Sequence, residues 1–345
     1  MGRLLATAVF ASLLVLTPPQ FAHAGPQIKV GNGTPASCTE TALRDALRGA
    51  QARGGATVRF KCGVGRTTIV LSADLVIPDD TTVDGEGVIT LHGVSATPIT
   101  VEAGATVTVR SLRVTTDESE GAFSAGTLTV VDSVFDGGIG ICGGAIHNNG
   151  TLTVRTSTFV NNSGFFDGGA ICNTGRAAIH DSTFEDNAGG GGANGGGALW
   201  NVGDMTVTDS TFTHNTGFHD LGGAVYNGGV LTVRDSVFFQ NDGGAGGAIF
   251  NDALGFRTDP ITAGTLNVKN SVILENAANA VSSIHDGHGG GIANRGGVAT
   301  IVNSVISKNT ATAPGGGVYT CCGGITTLKK TEVSGNTPDN VLIDP

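Results

Sequence analysis

A six-residue phrase, G-G-[AG]-Φ-x-[NT] with Φ an apolar residue, recurs seven times between residues 143 and 320. Its starts are 25, 28, 26, 24, 43 and 26 residues apart. A short run of β-favouring residues follows each phrase, and a second phrase, S-[TV]-[FI]-x-x-N, then occurs six times. A period near 25 with three short strands per repeat predicts a coil, because each turn buries its apolar positions only when stacked on the next.

Stacked turns place like residues over like at the strand spacing of about 4.8 Å. We expect an internal ladder and, at a turn, an amide ladder. The first would comprise Phe135, Phe159, Phe184, Phe212 and Phe238, continued by Ile273, Ile306 and Val333. The second would comprise Asn148, Asn173, Asn201, Asn227, Asn251 and Asn294. Of the 56 glycines, 16 lie in the seven phrases, so the glycine content marks turns that need positive φ or close backbone approach.

The GGA[ILV] and F-x-x-N phrases of residues 122–345 resemble the repeats of chlamydial polymorphic outer-membrane proteins and related bacterial β-helices. The front of the chain resembles the opening of pectate-lyase-like proteins, where residues 37–47 read as an amphipathic helix capped by Ser37 or Thr39. The resemblance implies one all-β domain over 25–345, a right-handed parallel β-helix with a short N-terminal capping α-helix. We divide it into a cap (25–66), N-terminal rungs (67–121) and the repeats (122–345).

Residues 1–24 are typical of a signal peptide, with Arg3, an apolar run and the A-x-A site Ala22-His23-Ala24. We therefore expect a secreted, extracellular protein without a membrane span, and a monomer. The net charge of −10 disfavours nucleic acid as a partner. Six cysteines in an exported chain permit disulfides, and Cys38–Cys62 is the expected pair. Adjacent Cys321 and Cys322 either form a strained vicinal bridge or stay free.

One position of the first phrase, x, is expected to point outward because side chains alternate along a strand. This outer stripe comprises His147, Cys172, Trp200, Tyr226, Phe250, Ala293 and Tyr319. It holds the only Trp and both Tyr of the chain, which is typical of a platform for sugar rings. We therefore predict substrate binding by Trp200, Phe250 and Tyr319, with Phe166 and Asp167 from a neighbouring loop. The alternative is a row covered by loops, or aromatic residues that strands merely favour.

The loops leading into the stripe carry Phe218-His219-Asp220-Leu221 and two insertions, residues 252–264 and 277–288. Insertions on one face are where solenoids usually place function. A polysaccharide lyase needs a base for the C5 proton, an acid for the leaving oxygen and a cation for the uronate. We predict His219 or His147 as the base, Tyr226 as the acid and Arg257 as the cation. Asp220 with Asp167 would instead suit a hydrolase.

Asp117, Glu118 and Glu120 form an acidic cluster that predicts a Ca²⁺ site, an ion that the pectate-lyase resemblance also implies. A solvated acidic turn is the alternative, and the base-bearing arginine motif of true pectate lyases is not found. The sequence thus favours a secreted protein that engages a polysaccharide, with a lyase on an acidic glycan as the leading interpretation. The alternatives are a non-catalytic adhesin or glycan-binding solenoid, and a glycoside hydrolase on the same scaffold.

Overall fold

The computed structural model describes residues 25–189, 195–217, 222–253, 264–279 and 287–344. These residues form an all-β parallel solenoid of about 11 turns with one helix near its N-terminus, which confirms the predicted fold class. The strands form three sheets that run along the coil. The expected signal peptide, residues 1–24, lies outside the described residues and stays a prediction.

Sheet 1 is the largest, and most turns contribute two strands to it, separated by a corner. Among the described residues it contains 21 strands. These are Gln27–Val30, Ala56–Phe60, Thr67–Leu71, Thr81–Gly93, Thr106–Thr116, Thr127–Val131, Val134–Asp136, Thr151–Arg155, Thr158–Val160, Arg176–His180, Thr183–Glu185, Asp204–Thr208, Thr211–Thr213, Val230–Arg234, Val237–Phe239, Thr265–Lys269, Val272–Leu274, Val298–Val302, Val305–Ser307, Ile325–Lys329 and Glu332–Ser334.

Sheet 2 is built from the first phrase of each repeat and carries the outer stripe. Its strands are Ile99–Val101, Ala122–Ser124, Ile146–Asn148, Ile171–Asn173, Leu199–Asn201, Val225–Asn227, Ile249–Asp252, Ile292–Arg295, Val318–Cys321 and Val341–Ile343. Sheet 3 is made of two-residue strands, Ile139–Gly140, Ser163–Gly164, Ala188–Gly189, Thr216–Gly217, Asp242–Gly243, Ala277–Ala278 and Thr310–Ala311. The neighbouring strands pair in parallel and in register in both sheets.

A helix covers the N-terminal end of the coil, as predicted. A 3₁₀ turn, Pro35–Ser37, precedes the α-helix Glu40–Gln51, and Thr39 Oγ1 accepts the N-cap hydrogen bond from the Ala42 amide at 3.2 Å. Its buried face, which includes Leu43 and Leu47, packs on the first strands of sheet 1. The predicted Cys38–Cys62 disulfide forms, with Cα atoms 5.6 Å apart. Within the described ranges, no helix is both long and apolar enough to cross a membrane.

One strand of the N-terminal rungs continues through a turn-like segment. The β-favouring residues 82–84 and 89–91 belong to one strand, Thr81–Gly93, with a register shift between Asp84 and Ile89. Glu86 and Gly87 adopt left-handed φ values of 52° and 75° at this bulge. A bulge absorbs the extra residues without ending the pairing, so a turn-like sequence here bends a strand instead of closing it.

The predicted phenylalanine ladder lies inside the coil. Successive rings of Phe135, Phe159, Phe184, Phe212 and Phe238 are 4.6–5.3 Å apart and within 13° of parallel. Each ring is at most 1% exposed. Ile273 and Ile306 continue the ladder fully buried, and Val333 is half-buried at the last turn. We call the five phenylalanines the inner ladder; they are part of the main core of the solenoid.

The amide ladder is also confirmed. Each side-chain amide of Asn148, Asn173, Asn201, Asn227 and Asn251 donates to the side-chain oxygen of the next asparagine at 2.7 or 2.8 Å, ending on Asn294. A second ladder, not predicted, joins the asparagines of the second phrase from Asn162 to Asn336 at 2.9 Å. Both ladders satisfy buried polar groups along the axis, so these asparagines are part of the scaffold.

The glycines of the first phrase serve close approach more than positive φ. A Cβ on Gly197 would collide with the carbonyl oxygen of Gly223 on the next turn, and neither residue has a positive φ. The left-handed corners of sheet 1 instead use mainly Asp and Asn, which tolerate this region, although the β-branched Thr156 occupies one of them. Their φ values are 46° to 52° at Asp132, Thr156, Asp181, Asp209, Asp235, Asn270 and Asn303. The first phrase therefore needs glycine because backbones of successive turns nearly touch.

Candidate functional site

The outer stripe is in register over its whole length. Sheet 2 pairs each stripe residue with the one on the next turn, from His147 with Cys172 to Ala293 with Tyr319. At about 4.8 Å per turn, His147 and Tyr226 are three turns, about 14 Å, apart. His147 and Tyr226 are therefore not brought together in one proton-transfer group, and the structure separates these two predicted catalytic residues.

The prediction of an exposed aromatic row is wrong for the middle of the stripe. Cys172 is fully buried, and Tyr226, Phe250 and Ala293 are each 2% exposed. Tyr226, Phe250 and Ala293 pack with Ala245 into a second apolar cluster, separate from the main core, which we call the outer cluster. Trp200 and Tyr319 pack on its edges and are half-buried. The alternation of side chains along a strand predicts which side of the sheet these residues occupy. It does not predict their exposure, which depends on packing outside the sheet.

An ion pair is buried beside the outer cluster. The Arg295 guanidinium donates from Nε to Asp252 Oδ1 at 2.9 Å and from a terminal nitrogen to Oδ2 at 2.8 Å. Asp252 is fully buried and Arg295 is 5% exposed. The guanidinium also lies over the Phe250 ring, 5.2 Å from its centroid. A two-pronged, desolvated pair of this kind fixes both side chains, because loss of either partner leaves an uncompensated charge.

The Tyr226 phenol belongs to the same network. Its hydroxyl donates to Asp252 Oδ2 at 3.1 Å. Burial raises the pKa of the Tyr226 phenol far above its usual range, and the charge and hydrogen bond of Asp252 raise it further, while Arg295 opposes them. The negative charge of Asp167, which is 6% exposed, acts in the same direction as Asp252. Tyr226 therefore holds its proton throughout the neutral range.

Trp200 borders this network on the preceding turn. Its ring lies within 10° of parallel to the Tyr226 ring, with centroids 6.3 Å apart. Within the described part of the chain, its indole N–H is buried and makes no hydrogen bond. The half-buried indole is thus the aromatic surface that remains beside the buried Tyr226.

The N-terminal end of the stripe has a different chemistry. His147 Nδ1 is 3.6 Å from Glu120 Oε2, and the Phe123 ring packs edge-on to the imidazole at 5.2 Å. On the next turn Cys172 forms a disulfide with Cys142, with Cα atoms 5.4 Å apart. The repeat does not predict this pair, because Cys142 lies in the bend before the first phrase and the repeat does not specify the path of that bend.

The three carboxylates predicted to bind Ca²⁺ do not converge. Asp117 Oδ2 lies 3.6 Å from His92 Nε2, Glu120 faces His147, and Glu118 is exposed. Among the described residues, the one group with metal-ligand geometry does not include them. A solvated acidic turn with histidine neighbours, the alternative interpretation, describes this segment, and the residues do not fit a Ca²⁺ site.

The remaining predicted residues are scattered or not described. His219, Asp220 and Arg257 lie outside the described residues, as do most of the two insertions. Phe166 is half-buried and meets Phe165 edge to face. The structure therefore places Asp167, Tyr226, Phe250 and Trp200 in one region, and the predicted base and cation stay predictions.

Tyr319 marks the C-terminal end of the stripe. The His288 ring stacks on it at 4.1 Å. Cys321 and Cys322 are free, with their Sγ atoms 2.6 Å apart, and burial followed by the neighbouring Cys322 raises the pKa of the Cys321 thiol to about 12. This raised pKa makes Cys321 a poor nucleophile at neutral pH.

Two residues of the Tyr226 network, Asp252 and Arg295, were not predicted, although the sequence contains a pattern that identifies them. Asp252 and Arg295 each follow the asparagine of a first phrase, on consecutive turns, and sheet 2 pairs them directly. Opposite charges at the same position of adjacent repeats predict a cross-strand ion pair. The ion pair becomes visible when the repeats are aligned on the first phrase and the residue after each asparagine is compared.

No family model matches the chain, and a search of curated proteins gives no match. Among solved structures, the A-module of the Azotobacter vinelandii mannuronan C-5 epimerase AlgE4 is similar, with 16% identity, a TM-score of 0.47, and coverage of 91% of this chain and 96% of that one. PfbA, a surface adhesin of Streptococcus pneumoniae, has 9% identity, a TM-score of 0.49, and coverage of 91% and 93%. The resemblance to polymorphic outer-membrane-protein repeats stays a prediction. An assignment of function therefore rests on the residues of this chain.

Proposed function

We propose that this chain is an extracellular protein that engages an acidic polysaccharide and cleaves it as a lyase, by β-elimination, at the Tyr226 end of the outer cluster. The observation that carries the proposal is the Tyr226–Asp252–Arg295 network, a protonated phenol held beside a buried ion pair. Buried titratable groups with shifted pKa values are typical of functional sites. A scaffold turn needs no such group, because the preceding turns carry Thr174, Val202 and Gly228 where Asp252 follows its asparagine.

The phenol suits the role of the acid. In β-elimination the C5–H bond and the bond from C4 to the leaving oxygen break, and a C4–C5 double bond forms. Tyr226 supplies its proton to the leaving oxygen, because its high pKa keeps that proton bound at neutral pH. Arg295 is close enough to lower the cost of the tyrosinate that results. The structure thus supplies a proton donor together with a cation that stabilises its conjugate base.

The other two roles fall to the loops that flank this turn in the chain. We assign the base that takes the C5 proton to His219, seven residues before Tyr226, and neutralisation of the uronate to Arg257, five residues after Asp252. Trp200, on the preceding turn, would bind an adjacent sugar ring by apolar stacking. The role of base no longer includes His147, which is about 14 Å away at strand spacing.

The experiment follows the unsaturated product. The purified chain is incubated with a panel of uronic-acid polysaccharides, and absorbance of the new double bond is recorded. Tyr226→Phe is expected to lower kcat by at least about 100-fold, the usual contribution of a general acid. Tyr319→Phe is the matched control: it keeps the ring that is predicted to bind substrate and removes only a hydroxyl outside the network, so its kcat should stay near that of the wild type. Equal activity of wild type and Tyr226→Phe would remove Tyr226 from the mechanism.

A second candidate function is a non-catalytic glycan-binding solenoid or adhesin. It is favoured by the closure of the network, because Tyr226 is 2% exposed and Asp252 is fully buried. Glycan retention without any absorbance change would favour it over the lyase. New reducing ends without that absorbance would indicate hydrolysis, for which Asp167 is the described carboxylate. A chain that neither retains nor cleaves any uronate would overturn the polysaccharide proposal itself.

A further inference from the structure

The N-terminal end of the outer stripe gathers three metal-ligating side chains. One ligand atom each from Cys142, His147 and Cys172 lies within 4.8 Å of the others. Cys142 and His147 belong to one turn, and Cys172 is the register partner of His147 on the next. We propose that this cluster is a Zn²⁺ site in the dithiol form of the protein, and that the Cys142–Cys172 disulfide is its oxidised, metal-free form. The proposal is independent of the polysaccharide function.

The donor set and its size fit zinc. Two thiolates and an imidazole are the ligands that Zn²⁺ prefers, at about 2.3 Å for sulfur and about 2.0 Å for nitrogen. Two sulfurs on one tetrahedral zinc lie about 3.8 Å apart, a separation that follows from those bond lengths. Because the ligand atoms already lie within 4.8 Å, rotation of the two cysteine side chains is sufficient once their bond is broken. Hard cations such as Ca²⁺ prefer oxygen and are disfavoured here.

Glu120 completes the outer shell of the site. Its Oε2 lies 3.6 Å from His147 Nδ1, although its carboxylate is outside the ligand group. A carboxylate on one ring nitrogen of a ligating histidine fixes the ring and raises its basicity, so that the other nitrogen binds the metal. The Phe123 ring, edge-on at 5.2 Å, restricts the imidazole from another side. Glu120 and Phe123 therefore limit the orientations open to the imidazole before any ion arrives.

Three protein ligands leave a fourth position for water. Cys172 is fully buried, whereas Cys142 and His147 are half-buried, so the cluster reaches the surface on one side. An open fourth position is typical of zinc sites that bind exchangeable ligands, in contrast to closed structural sites. Trp200, the register partner of Cys172, follows on the next turn. We infer that the ligand exchanged at the fourth position is water or an oxygen donor.

The two forms interconvert by thiol–disulfide exchange. A dithiol reductant supplies two electrons and two protons, the Cys142–Cys172 bond breaks, and the reductant becomes a disulfide. Zinc binding then displaces both thiol protons to solvent, because thiolates are the ligands. Oxidation by a disulfide-class oxidant reverses both steps and releases the ion. Metal content and disulfide content are thus mutually exclusive at this site.

The test measures metal on the full chain. Cys321→Ser/Cys322→Ser is the background, since it removes the two cysteines that are not in disulfides. The protein is treated with an immobilised dithiol, loaded with Zn²⁺, desalted and analysed for metal and for Cys142–Cys172 pairing by peptide mapping. We expect one zinc per chain after reduction and none without it. Co²⁺ in place of Zn²⁺ should show thiolate charge-transfer and tetrahedral ligand-field bands.

Variants separate this site from unspecific thiol binding. His147→Ala should raise the dissociation constant for Zn²⁺ at least tenfold. Glu120→Gln should raise it by about tenfold or more, the usual range for an outer-shell carboxylate. Circular dichroism confirms that each variant is folded, and His147→Ala remains informative if Cys142→Ser or Cys172→Ser does not fold. The proposal is overturned if the reduced background protein binds no zinc, or if His147→Ala binds it as tightly as the background.

Discussion

The inner ladder and the outer stripe are two rows of side chains with the same axial spacing, on the same stacked turns, and their contrast separates scaffold from site. The inner ladder repeats one residue, Phe, over five turns with nearly parallel rings. The outer stripe changes residue at every turn and carries a disulfide at one end and a buried ion pair beside its middle. Uniformity indicates packing, and variation at a fixed register indicates chemistry.

The two rows are also buried by different means. The coil itself encloses the inner ladder, so each ring is buried as soon as its neighbours stack. The outer cluster lies outside the sheets, where Tyr226 and Phe250 pack against one another and against Ala245 and Ala293. Substitutions are therefore expected to act on global stability in the inner row and on local order and ligand handling in the outer row.

The largest expected effect is in the inner row. Phe184→Ala removes a fully buried ring from the middle of the stack and should cost about 4 kcal/mol of the free energy of unfolding. Phe250→Ala in the outer cluster should cost about 2 kcal/mol, because a small peripheral cluster relaxes around a cavity more easily. Urea denaturation of both variants checks the difference. Equal losses would contradict the distinction between the two rows.

Arg295→Ala comes next, with an expected loss of about 3 kcal/mol, since it leaves Asp252 buried without its counter-charge. The double variant Asp252→Leu/Arg295→Met should recover much of that loss, because paired replacement by apolar residues removes the desolvation penalty of both charges. Thermal or urea denaturation gives both values. A double variant no more stable than Arg295→Ala would show that the pair is not the source of the loss.

Alkaline pH should reveal Tyr226. Its folded pKa is raised above that of the unfolded chain, so the folded state keeps a proton that the unfolded state loses above about pH 10. Stability from this group is complete below that pH and falls as pH rises, by up to about 1.4 kcal/mol per pH unit. Tyr226→Phe should remove that part of the slope. Tyr319→Phe, at a half-buried phenol, should remove less, and the reverse order would be unexpected.

The smallest effect on stability is expected at Trp200, whose half-buried ring lies at the edge of the outer cluster. Trp200→Ala should cost about 1 kcal/mol, as for other partly exposed positions, yet should strongly reduce retention of the glycan in affinity electrophoresis. Phe239→Ala, at a half-buried ring on sheet 1, is the matched control and should retain the glycan. If Trp200→Ala retains the glycan as well as Phe239→Ala does, Trp200 is a packing residue and does not bind the glycan.

The scaffold was predictable because it depends on recurrence. Phe184 and Asn201 were placed in ladders from spacing alone, since in-register stacking follows from a constant repeat. A local motif restricted the helix cap to Ser37 or Thr39, of which the structure uses Thr39, and the Cys38–Cys62 bridge followed from two cysteines that bracket one segment. The helix cap is set by neighbours in sequence, and the ladders are set by identical neighbours in space.

The site was less predictable because it depends on departures from the repeat. Burial of Tyr226 depends on what packs over the outer face, which alternation along a strand does not describe. Pairing of Cys142 with Cys172 depends on the path of one bend. The separation of His147 from Tyr226, in contrast, was available from the count of phrases between them, and the repeat itself excludes that pair.

In-register stacking fixes the distance between any two sites along the coil axis as a whole number of turns. The thiol–imidazole cluster of Cys142, His147 and Cys172 and the Tyr226 network are two such sites, with Trp200 between them. Gain or loss of one repeat between the two sites would change their separation by one turn and leave the local geometry of each site intact. The distance between the two sites can therefore change only by whole turns. A rigid ligand with its own repeat length contacts both sites at once only where that length matches a whole number of turns.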